Sequence, residues 1–154
     1  MKARSVALLS FAFFSAGALR AELSCPWLTQ GTAASMLGGD VDAVIKLIPP
    51  EQGSCAFSLQ QGAATYSLKI VVERTPHVAC PPASPRLTGI GNEAVACRLQ
   101  RAPNETSEVV SSRVRGLFLT ISFTILGPAS PSLPLDKQRD IAQRAAEQVA
   151  GNLD

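Results

Sequence analysis

The chain has 154 residues, of which 17 % are charged and 46 % hydrophobic, and a formal net charge of +2. The basic excess sits in the first 21 residues, which hold Lys2, Arg4 and Arg20 and no acid, so beyond them 11 basic residues stand against 12 acidic ones, a net charge of −1. That balance, with no Lys/Arg cluster interleaved with aromatics, excludes the electrostatic footprint of a nucleic-acid binder and of a charged membrane-surface helix.

Lys2 and Arg4 precede an apolar run over residues 6–18, and small residues close the segment at Ala21. Charge, apolar stretch and cleavable end in that order are a Sec-type signal peptide, with cleavage after Ala21 or after Ala18. The run of 13 residues is short for a spanning helix, which needs about 20. Glu22, Leu23 and Ser24 before Cys25 put an acidic residue where a lipid-modification signal wants a leucine-like one, so Cys25 is read as a disulfide partner. The domain reading is a signal peptide over 1–21 and one domain over 22–154, of a length that buries roughly two-thirds of its unfolded surface. The expected location is secreted or periplasmic, with no membrane span after cleavage.

Along the mature chain, the Ala-rich segment 29–37 is predicted as a short helix stopped by Gly38-Gly39. Segment 40–48 carries Val41, Val44, Ile45, Leu47 and Ile48 and is read as a strand, with helix continuation as the rival, before Pro49-Pro50 breaks it. Cys55, Phe57 and Leu59 alternate with small or polar residues, as do Tyr66, Leu68, Ile70 and Val72. With Gln60, Gln61 and Gly62 between them, these two runs predict an antiparallel hairpin with one apolar and one wet face. A Pro-rich crossing over 76–85 follows, then strands at 93–99, 109–114 and 117–126, the last two joined tightly at Arg115-Gly116. Three prolines make 128–134 a loop. A final helix is predicted with Asp136 at its cap or first turn and Ile141, Ala145, Val149 and Leu153 as a narrow packing stripe, the charged Lys137, Arg139, Asp140, Arg144 and Glu147 being solvated.

Segregated strands and terminal helices specify an α+β fold: a largely antiparallel sheet of about six strands, with a short N-terminal and a longer C-terminal helix packed on it, in two similar halves. All four cysteines lie beyond the leader, an even count that suits an oxidising compartment. Of three pairings, order along the chain favours Cys25 with Cys55 and Cys80 with Cys97, closing loops worth roughly 3 to 4 kcal/mol each in the chain-entropy model. No C-x-x-C is present and His77 is the only histidine, so no metal site and no cofactor are expected.

Cys25 followed by Leu28, a helix ending in Leu37-Gly38-Gly39, the run Ser54-Cys55-Ala56-Phe57 and the string Gly89-Ile90-Gly91-Asn92-Glu93-Ala94 together resemble the uncharacterised secreted lipoprotein domains of actinobacterial cell envelopes. The resemblance runs from Cys25 to the final helix, departs from that pattern in lacking a lipid-modification signal, implies an α+β envelope domain, and supplies no catalytic residue. Read on their own, Gly89 and Gly91 are turn residues that free the backbone before a strand.

No nucleophile elbow, H-E-x-x-H pair, phosphate loop or dinucleotide fingerprint occurs. His77 with Ser84, Ser111 or Ser112 and a carboxylate such as Glu93 is the one conceivable hydrolytic set, and Glu73, Glu93 and Asp40 the one conceivable carboxylate set. Asn104-Glu105-Thr106 fits a glycosylation sequon. The expected function is a non-catalytic envelope module whose sheet face or loops bind an envelope protein, a glycan or a small apolar ligand. The alternative is an inhibitor of a secreted hydrolase that presents the loop closed between Cys80 and Cys97, with His77, Arg86, Asn92 and Glu93 as partner-binding residues; a disulfide and prolines lower the ordering cost of such docking.

Overall fold

The computed structural model describes residues 23–76, 79–128 and 133–153. The signal-peptide reading of 1–21 and the position of His77 lie outside the described residues.

Helix α1 spans Gln30–Leu37: the Thr29 hydroxyl accepts from the Thr32 N–H, and Gly38 closes the helix in the left-handed region at φ 85° with its N–H donated to Ala34. Strands β1 (Asp42–Ile48), β2 (Gln52–Gln61) and β3 (Ala64–Glu73) form one antiparallel meander, and β4 (Asn92–Ala102), β5 (Glu105–Val114) and β6 (Leu117–Leu126) form a second. Segment 42–48 is thus a strand, not a continuation of α1. Strands β3 and β6 pair antiparallel, giving the order β1-β2-β3-β6-β5-β4. The two meanders meet at the β3–β6 pair. Each carries one helix, α1 on β2 and β3, and α2 (Leu135–Leu153) on β6 and β5.

Both helices cover the same face, where Phe57, Leu68, Ile70, Val72, Ile121 and Phe123 are fully buried. Burying each such side chain contributes about 1.5–3 kcal/mol. Trp27 and Leu28 join this core, and the Asn152 side-chain amide donates to the Trp27 carbonyl at 2.8 Å, tying the segment before α1 to the end of α2. The buried stripe of α2 is wider than Ile141, Ala145 and Val149, because Gln138, Ala142, Ala146 and Ala150 are buried too; small side chains let the helix sit close to the sheet.

Strand β5 begins earlier than its apolar residues predict, and buried polar chemistry is the reason. Strand β5 starts at Glu105, and Glu108, 2 % exposed, faces α2 from its centre. Arg98, its neighbour on β4, donates to Glu108, and Arg98 Nη2 also donates to Gln138 Oε1 at 3.2 Å, whose amide donates to the Leu133 carbonyl at 2.7 Å. Arg139 Nε stands 3.8 Å from the second Glu108 oxygen. Arg139 is therefore an ion-pair partner as well as a solvated side chain. These partners keep a carboxylate in a core from which an unpaired charge would be expelled.

Cys25 is bonded to Cys55 and Cys80 to Cys97. Cys55 points into the core, whereas Cys97 lies on the other face of the sheet and fastens the Pro-rich crossing there. Among the described residues no helix is long and apolar enough to cross a membrane.

Candidate functional site

The sheet face opposite the helices is built from the even-numbered residues of β2 and β6 and the odd-numbered residues of β3 and β5, because successive strand residues alternate between faces. Its central rows run Ser67–Thr124–Ser107, Lys69–Ser122–Val109 and Val71–Thr120–Ser111 across β3, β6 and β5. Hydroxyl side chains dominate. The Ser107 and Thr124 hydroxyls are bonded at 2.7 Å, while Ser67, Ser122 and Thr124 are half-buried and open to solvent.

Where β3, β6 and β5 meet, this face forms a groove of about 510 Å³ lined by Thr65, Ser67, Lys69, Glu73, Ser122 and Thr124, with Arg101 and Glu105 at one side and Ala79 of the crossing as a wall. Lys69 and Arg101 against Glu73 and Glu105 give it charges of both signs. None of the four is ion-paired among the described residues. On the same face, Ser111 Oγ is buried and has no hydrogen-bond partner among the described residues. Hydroxyls that both donate and accept, set in register on rigid strands, suit a polar ligand with many hydrogen-bonding groups.

A second cleft of about 450 Å³ opens between the end of α1 and α2, lined by Met36, Leu37, Tyr66, Phe123, Leu133 and Ile141 and rimmed by Lys137, Asp140 and Arg144. Its floor is the closed core, with Tyr66, Phe123 and Ile141 at most 7 % exposed. Arg144 Nε and Asp140 Oδ2 lie 3.0 Å apart on its rim.

Three of the four predicted loop residues come to one edge of the sheet. Arg86 is exposed, but its backbone is held in a bridge to Val95, with Pro85 accepting from Ala96 and Leu87 donating to Ala94. Asn92 and Glu93 are exposed at the start of β4, where Glu93 has φ 58° and its carboxylate lies 3.5 Å from Arg113 Nη2. Just before them, Gly91 has φ 53°, and any Cβ there would meet the Arg113 carbonyl at 2.7 Å. Ile90 is fully buried, and its carbonyl accepts from the Ser112 hydroxyl at 2.7 Å. The glycine pair is thus what lets Ile90 plug the core, as the turn reading requires.

The hydrolytic set turns on His77, which lies outside the described residues, and the carboxylate set does not gather. Ser111 and Ser112 are adjacent on β5 and face opposite sides of the sheet, and Ser112 is committed to Ile90. Asp40 precedes β1 and Glu73 ends β3, which runs in the same direction, so they lie at opposite ends. The groove was not visible as a site in the sequence: Ser67, Ser122 and Thr124 signal only a wet face, and their convergence depends on β3 pairing with β6 rather than β4. No family model, curated protein or solved structure matches the chain.

Proposed function

We propose that the protein is a non-catalytic, secreted or periplasmic envelope module that binds a polar partner, a glycan or a protein segment, on the hydroxyl-lined face of its sheet. The observation that carries this reading is the groove over Ser67, Ser122 and Thr124 on the sheet face opposite α1 and α2. The leader, the two disulfides and the resemblance to envelope lipoprotein domains support the location. A polar partner suits this face because hydroxyl and charged side chains are set in register on its strands. In the test, the wild type and a Ser67→Arg, Thr124→Arg variant are exported, immobilised and exposed to an oligosaccharide panel and to the soluble proteins of that compartment. The reading predicts retention by the wild type and loss by the variant; equal retention by both sinks it.

The inhibitor reading has one observation in its favour: Arg86 is exposed on a segment whose backbone is fixed to β4 and closed by Cys80–Cys97. Its test is inhibition of a panel of secreted hydrolases, abolished by Arg86→Ala.

A further inference from the structure

The two edges of the sheet are treated differently. Edge β4 is covered at its start, where Pro85 and Leu87 hydrogen-bond to Ala96 and Ala94. Edge β1 pairs with β2 alone among the described residues, leaving its other side unmatched. Its sequence, Asp-Ala-Val-Ile-Lys-Leu-Ile, is dominated by strand formers, and Val44 and Ile48 are 59 % and 62 % exposed. Leu23, 66 % exposed, lies beside Ala43 and Ile45 on the helix side of the same edge. A bare, apolar edge strand is a template for another strand unless something blocks it.

Lys46 is the usual kind of block, and here Asp42 turns it into a register signal. Asp42, Val44 and Lys46 share the outer face, and neither Asp42 nor Lys46 is ion-paired among the described residues. If two copies of β1 meet antiparallel with Val44 opposite Val44, each Asp42 stands opposite the other copy's Lys46. Centring on Lys46 puts like charges face to face, and centring on Ile45 pairs neither charge. Directly opposed residues of unlike charge stabilise a strand pair, and like charges oppose it. The strand is therefore complementary to itself in one register.

We propose that β1 is a homodimer edge: two copies of this chain join β1 to β1 antiparallel about Val44, fusing their sheets and pairing Asp42 of each with Lys46 of the other. The occupant is a second copy because the charge pattern is self-complementary and the exposed valines meet on the two-fold. The inference is independent of the groove, which lies on β3, β6 and β5.

The test measures mass by light scattering over a concentration series on the exported, disulfide-bonded protein. Wild type is expected to dimerise. Asp42→Lys alone and Lys46→Asp alone each replace two attractive pairs with two repulsive ones and raise the dissociation constant at least about tenfold. The double variant Asp42→Lys, Lys46→Asp restores dimerisation, because the swap recreates both pairs. Circular dichroism checks that each variant folds. A wild type that stays monomeric at several hundred micromolar overturns the proposal. So does a dimer indifferent to both single reversals, or a double variant no better than the singles.

Discussion

The Arg98–Glu108–Gln138 network is the most exposed part of this account, because a carboxylate 2 % exposed in a core is stable only through its partners. Replacing Arg98 with Met keeps the side-chain length and removes the donor that Glu108 and Gln138 share. Breaking a fully buried pair costs about 3–5 kcal/mol. The lower end applies here for two reasons: Arg139 remains 3.8 Å from the other Glu108 oxygen, and 33 % of the Arg98 side chain already reaches water. The expected loss is about 3 kcal/mol, which for a domain of this size lowers Tm by about 10 °C. Removing both charges in Arg98→Met, Glu108→Leu leaves no unpaired carboxylate but still takes the donor from buried Gln138 Oε1, so stability should recover in part, to within about 2 kcal/mol of wild type. Urea and thermal unfolding of the wild type, the single and the double variants read both numbers. A single variant costing under about 1 kcal/mol, or a double variant as unstable as the single, refutes the claim that burial makes this ion pair obligatory.

Gly91→Ala should cost at least about 2 kcal/mol, since it combines a left-handed backbone at φ 53° with a Cβ 2.7 Å from the Arg113 carbonyl; Gly62→Ala, at φ 59° with open space around it, should cost about 1 kcal/mol in the same urea assay. Ser111→Ala should raise stability by about 1 kcal/mol, because it removes a buried hydroxyl with no partner among the described residues; calorimetry showing a loss of that size would mean the hydroxyl is satisfied. Replacing Cys80 and Cys97 together with Ala should cost about 3 kcal/mol by opening a loop with a sequence separation of 17, and a non-reducing peptide map of the wild type should recover Cys25–Cys55 and Cys80–Cys97 as the linked pairs.

The sheet was legible because one face is apolar, so Phe57, Leu68, Ile70, Ile121 and Phe123 mark it at period two. The hairpin at Arg115-Gly116 was legible from its turn residues and the end of α1 from Gly38, while Thr29, read as helical, is the cap that precedes the helix. Chain order was enough to favour the two disulfides that form. What escaped was buried polarity. Thr106, Ser107 and Glu108 fell outside the strand predicted over 109–114, because the partners that let Glu108 be buried come from β4 and α2. The groove escaped for another reason: alternation identifies Ser67 and Thr124 as outward-facing, but the pairing of β3 with β6 that sets them side by side is a long-range fact with no local signal.

If the sheet face opposite α1 and α2 is the binding surface, an amide chemical-shift map will locate the partner there. The exported protein, labelled with nitrogen-15, is titrated with whichever oligosaccharide or protein the retention experiment captures. The account predicts that perturbed amides cluster on β3 and β6 around Ser67, Lys69, Ser122 and Thr124 and spare α2. A cluster around Leu37, Leu133 and Ile141, or along the segment containing Arg86 with the groove silent, would contradict it.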